Sequence, residues 1–136
     1  MANEATLSLR IENPLPFTVA DATGIEKGTV CALTDPRTAI ANSTNGGKIA
    51  GIAAREKVAN DGRTELAMFR RGWFEMLCSG AVNLGDPLTA YHNEVQVCAV
   101  TASGANIIGT ALETGSDNET ILVDVNIGAG GAGGIS

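Results

Sequence analysis

Apolar and polar positions alternate with a period of two over residues 120–127, where Ile121, Val123, Val125 and Ile127 oppose Thr120, Leu122, Asp124 and Asn126. That period predicts a strand with one buried face. Residues 6–12 alternate likewise, with Leu7, Leu9 and Ile11 opposed to Thr6, Ser8, Arg10 and Glu12. They read as a half-buried strand, or as an arm that adds to a sheet edge on a partner. Asn13, Pro14, Leu15 and Pro16 stop it, because each Pro lacks a donor and restrains the residue before it. The densest patterning runs over residues 48–78, which carry six of the nine basic residues and the aromatics Phe69, Trp73 and Phe74. It predicts a strand from Ile49, a turn at Asn60-Asp61-Gly62, a return strand from Arg63, a bend at Gly72 and a third strand to Cys78.

Further strands are expected at residues 17–20 and 29–33, the latter ended by Asp35-Pro36, and at 87–91 and 94–100 as a hairpin around His92-Asn93. Residues 37–47 are polar and read as an exposed loop, most mobile over 42–47. Residues 82–85 make at most one helical turn. The tail GAGGAGGIS, residues 128–136, cannot pack and is expected to be flexible. Helical periodicity never extends beyond about ten residues. Short strands punctuated by Gly, Pro and Asn indicate an all-β barrel or sandwich.

Part of the pattern occurs twice. Lys48-Ile49-Ala50-Gly51-Ile52-Ala53 matches Asn106-Ile107-Ile108-Gly109-Thr110-Ala111, Asp61 to Ala67 matches Asp117 to Val123, and Gly28 stands to Thr29 as Gly85 stands to Asp86. Residues 25–72 and 82–128 are therefore expected to be pseudo-repeats, each a β unit too small to bury its own apolar face. The expected organisation is an N-terminal arm or first strand over 1–15, a single β-barrel domain over 16–127 and the tail.

Composition adds a constraint on size and association. Only 4% of the 136 residues are aromatic. A core of small side chains gains less at about 25 cal/mol per Å² of apolar area buried, which favours self-association. The net charge of −6 disfavours nucleic acid and anionic membranes as main partners. Its distribution is uneven. Residues 1–71 hold nine basic and eight acidic groups, whereas residues 72–136 hold seven acidic groups and no Lys or Arg. A head-to-tail ring of subunits would set the one half against the other. Arg63, Arg70, Arg71 and Trp73 are the candidates for a subunit interface, being of the residue types that concentrate binding energy.

Candidate chemistry is sparse. Cys31, Cys78 and Cys98 are odd in number and outside any CxxC spacing, which points to reduced, buried thiols in a cytosol-assembled protein. The first residues lack a basic region followed by an apolar one, so no signal peptide is expected. A nucleophilic Cys78 or Cys98 would need His92, with Asp86 as orienting partner, and no local signature supports that set. The lone His and scattered Cys give no zinc spacing, and Asp117-Asn118-Glu119 lacks the alternation of a calcium loop. Gly47-Lys48 lacks the leading Gly and following Ser or Thr of a phosphate loop. Arg70-Arg71 beside Trp73 reads as aromatic packing flanked by arginines, in preference to a base-stacking platform. No catalytic, cofactor-binding or metal residue is assigned.

Several stretches resemble a known family. Pro16-Phe17-Thr18-Val19-Ala20-Asp21-Ala22-Thr23-Gly24-Ile25-Glu26-Lys27-Gly28-Thr29-Val30, Leu33-Thr34-Asp35-Pro36-Arg37-Thr38-Ala39, Gly51-Ile52-Ala53 and Gly85-Asp86-Pro87-Leu88 are similar to the head decoration, or capsid cement, proteins of tailed bacteriophages. The resemblance implies a β-barrel or β-tulip-like domain and a structural virion protein, assembled in the bacterial host cytoplasm. Such a protein sits as a homotrimer on the outer capsid surface, contacts the major capsid protein and stabilises its lattice. It implies no enzyme activity, no cofactor, and no nucleic-acid, membrane or small-molecule partner. Leu7, Leu9 and Ile11 are the candidate capsid contacts. A non-viral oligomeric β-barrel binding module is the alternative the residues leave open.

Overall fold

A computed structural model describes residues 4–11, 13–44, 46–91, 93–100 and 106–127. His92 and the tail from Gly128 lie outside the described residues. The elements are β1 (Thr6–Arg10), β2 (Leu15–Thr18), β3 (Val30–Asp35), β4 (Thr38–Ala41), β5 (Ile49–Ala53), β6 (Glu65–Phe69), β7 (Arg71–Cys78), β8 (Pro87–Ala90), β9 (Gln96–Ala99), β10 (Gly109–Ala111) and β11 (Thr120–Asn126). The protein is all-β, with no helix among the described residues.

The strands close into two five-membered barrels of the same topology. In the first, β2-β4-β3-β5-β6 form a ring. In the second, β7-β11-β10-β8-β9 do so, and β1 is added alongside β7. Each ring is antiparallel except at one seam, where its first strand meets its third in parallel: Thr18 with Thr38, and Leu77 and Cys78 with Gln96 and Val97. One isolated bridge caps each barrel, Ile25 with Lys57 and Val82 with Gly115. Closure removes the open edges of each small sheet. The expected units, bounded at 25 and 82, were each one strand short of this. β2 and β7 complete them, so 16–127 contains two barrels where the sequence suggested one.

The core is built in the same way. Phe17, Val19, Ile25, Cys31, Ala39, Ala50, Ala53, Leu66 and Met68 fill the first barrel. A larger cluster holds the interior of the second barrel together with Val30, Ile49, Ile52 and Phe69 of the first. β5 explains the arrangement. Its ladder to β3 is irregular between Cys31 and Ala32, where Gly51 and Ile49 are the partners. The bulge at Ala50 lets Ile49 and Ile52 join the shared cluster while Ala50 and Ala53 face the first barrel. All five residues of β5 are buried for that reason.

Hydrogen bonds fasten the junction as well. Val30 N donates to Glu94 O at 2.8 Å, Gly46 N to Ala90 O at 2.9 Å and Ile127 N to Arg70 O at 2.9 Å. Asn42 is 3% exposed, and its Nδ2 donates to Tyr91 O at 2.7 Å and Asn93 O at 3.0 Å. Residues 37–47 thus differ from the expected loop. Arg37, at φ 55, turns the chain so that β4 pairs with β3, and Asn42 then clamps the two barrels. The chain bends at Arg70, and Gly72 lies within β7.

Candidate interaction surface

β1 and β7 present an exposed face that carries Leu9 and Trp73, and a bulge creates it. The register passes from Leu7 opposite Phe74 to Leu9 opposite Trp73, leaving Ser8 as the extra residue. Strict alternation would place Leu7 and Leu9 on the same side; the bulge puts them on opposite sides. Leu7 packs against the core, whereas Leu9 is 48% and Ile11 42% exposed. The three candidate contacts are therefore not equivalent: Leu7 is a packing residue, and Leu9 and Ile11 form the surface.

β1 is also integral to the fold rather than an arm attached to another chain. It pairs with β7 through four residues, Ala5 N donates to Gly28 O at 3.0 Å, and Ala5 is buried. A Cβ on Gly28, which has φ +87, would lie 2.4 Å from Ala5 O. Only glycine allows so close an approach in that conformation. Between β1 and the first barrel runs a cleft of about 520 Å³, bordered by Leu7, Arg10, Lys27, Phe69 and Phe74. The Arg10 guanidinium stands 5.6 Å from the Phe69 ring centroid, and Phe69 meets Phe74 edge to face at 5.6 Å.

The candidate subunit-interface residues separate. Arg71 and Trp73 share the outer face of β7 with Glu75, since alternate residues of that strand are exposed. Arg70 borders a groove at the barrel junction with Lys48 and Ile127. Arg63 lies apart from both, next to Thr18 and Glu65.

One charged cluster escaped the sequence reading. Lys57 is 1% exposed at the capped end of the first barrel. Its Nζ donates to Asp61 Oδ1 at 2.8 Å, to Asp21 O and Val58 O at 2.9 Å each, and to Asp21 Oδ1 at 3.2 Å. Burial works against the ammonium charge, but the hydrogen bonds to Asp61 and Asp21 outweigh it and raise its pKa above the ordinary value. The Lys57 hydrogen bond and the Arg63 N–H lower Asp61 to about 2. Asp61 belongs to the expected turn, with Asn60 at φ 61 and Gly62 at φ 87. Asp21 is 36 residues from Lys57 in sequence, so no local spacing announced the cluster.

The thiols are poorly placed to act as nucleophiles. Burial, reinforced by Glu94, pushes Cys31 up to about 12. Burial also raises Cys78 and Cys98. The Cys78 thiol donates to Ser116 O at 3.0 Å. Thiolate is the reactive form, and these surroundings disfavour it.

Tandem five-stranded barrels with an added edge strand define a small structural β module. The phage cement protein family matches residues 10–127, and the chain belongs to that family. It is a capsid-associated structural protein of the virion. Its fold is similar to the crystal structure of the head fiber gp8.5 N base in bacteriophage phi29, with a TM-score of 0.56 and 13% identity over 82% of this chain and 93% of that one. No curated protein matches the chain.

Proposed function

We propose that the protein is a non-catalytic cement subunit that binds the outside of the phage head as a homotrimer and reinforces the lattice of the major capsid protein. It assembles in the host cytoplasm and takes no cofactor. Membership in the cement family supports the role, and one feature of the chain supports the contact: Leu9 on β1 and Ile11 just past its end are exposed, and the strand is itself pinned to the body. A fixed apolar pair loses little conformational entropy on binding. Repetition through a trimer then raises the effective concentration of each modest contact.

Deleting the strand would be a poor test, because Ala5 and Leu7 are part of the core packing. Replacing only the exposed pair, Leu9→Asp with Ile11→Asp, leaves that packing in place. The expected result is at least tenfold weaker co-sedimentation with heads lacking the protein, at an unchanged Tm. Undiminished binding by the double variant would remove the contact from consideration.

A further inference from the structure

The two barrels carry unlike surfaces. On the second, Trp73 is 37% exposed and stands between Leu9 and Asp124 in the β1–β7–β11 register. Beyond Trp73, on the side away from Leu9, half-buried Leu122 lies opposite exposed Glu75. Asp124 Oδ1 is buried and has no hydrogen-bond partner among the described residues. A carboxylate oxygen removed from water without a donor is destabilising until one arrives. Arg71 flanks the patch, and residues 72–136 hold seven acidic groups and no Lys or Arg.

On the first barrel, Ile40 is 45% exposed and borders a groove of about 190 Å³ with Ala32, Thr34 and Lys48. Lys48 is exposed. This face offers an apolar centre and a cation; the other offers an apolar centre and two carboxylates, one of which, Asp124, carries the unmet acceptor. Every copy of the chain carries one of each, on different barrels.

We propose that the Trp73–Glu75–Asp124 face of one copy docks on the Ile40–Lys48 face of the next, the contact being heterologous and closing as a ring. This deepens the homotrimer reading and rests on it. Burial of an indole beside a charge pair is the composition of an interface hot spot, and opposite charges fix which faces meet.

The test uses full-length Lys48→Glu, Glu75→Lys and the double variant, followed by sedimentation velocity at low and high salt. Both substitutions fall on exposed side chains, and an unchanged Tm verifies that the fold is intact. The wild type is expected to be trimeric, each single variant to dissociate at least tenfold more readily, and the double variant to recover trimers, with high salt shrinking all three differences. Single variants as tightly trimeric as the wild type, or a double variant no better than the singles, overturn the face assignment while leaving the trimer standing. A wild type that stays monomeric at concentrations that saturate heads overturns both.

Discussion

The capped ends of the two barrels solve the same problem differently. In each, an isolated bridge ties the loop after the first strand to the loop before the last, and an Asn with positive φ follows three residues on, Asn60 at 61° and Asn118 at 65°. In the first barrel the bridging residue is Lys57, whose ammonium fills the end and gathers Asp21 and Asp61. In the second it is Gly115, where a Cβ would lie 2.5 Å from Ile121 Cγ2. There the Cys78 thiol donates to Ser116 O, as Lys57 Nζ donates to Val58 O. One backbone frame thus accepts a charged plug or an uncharged one. The choice moves the cost, because a buried ion pair must be complete, whereas a packed end tolerates no added volume.

Removing the charged plug is the harshest way to break this comparison. Lys57→Met leaves Asp21 and Asp61 facing each other without their cation, and Tm should fall by roughly 10 °C. Amide exchange should rise in β2–β6 before β7–β11; uniform loosening of both barrels would mean that the plug serves the whole molecule and not its own end.

The equivalent glycines Gly28 and Gly85 sharpen the contrast. Both have φ +87, but a Cβ would meet Ala5 at Gly28 and nothing within 4 Å at Gly85. Gly85→Ala then costs only the backbone conformation, about 1 kcal/mol. Gly28→Ala adds the collision with β1, for a total of about 3 kcal/mol. Equal losses of stability in chemical denaturation would show that β1 is not held at Gly28.

Asn42→Ala removes two donors from the junction and leaves the Tyr91 and Asn93 carbonyls to find others, at about 1–2 kcal/mol. The sign to look for is loss of cooperativity between the barrels, seen as two resolved unfolding transitions. A single transition, merely shifted, would mean that the shared apolar cluster and the backbone hydrogen bonds across the junction couple them without Asn42.

Acid should distinguish the barrels most gently. Asp61 is lowered from 3.8 to about 2 in the folded state, so its contribution is present above pH 3.8 and is lost as pH falls through about 2. Lys57 is raised above 10.5, so its contribution is intact throughout that range and is lost only at strongly alkaline pH. The first barrel should therefore begin to lose protection between about pH 4 and 2, a trend that Lys57→Met flattens. An acid response that Lys57→Met leaves untouched would assign it to other carboxylates.

The parts legible in the sequence were those specified locally. Ile121, Val123 and Val125 declare β11 by alternation, Asn60-Asp61-Gly62 declares a turn, and the repeated glycines declare a repeated unit. What was hidden depends on partners remote in sequence. β4 is four residues of Thr, Ala and Ile inside a polar stretch and becomes a strand only because β3 lies beside it. The bulge at Ser8 reversed Leu9, which alternation had placed beside Leu7. Lys57 looked like one cation in a basic run, since its aspartates come from a loop before β3 and a turn before β6. Of the surface residues, Arg71 and Trp73 do share a face, but the neighbouring Asp124 was read only as the polar side of a strand.

β1 and β11 flank β7, and both run antiparallel to it. They are consequently parallel to each other, and the start of Thr6–Arg10, level with Glu75, and the finish of Thr120–Asn126, level with Arg71, point to opposite poles, roughly 13 Å apart at about 3.3 Å per residue. Ile11 lies at the pole where β11 finishes. Were the proposed Leu9–Ile11 contact to seat that pole on the head, the opposite end of β1, at Thr6, would face away from it.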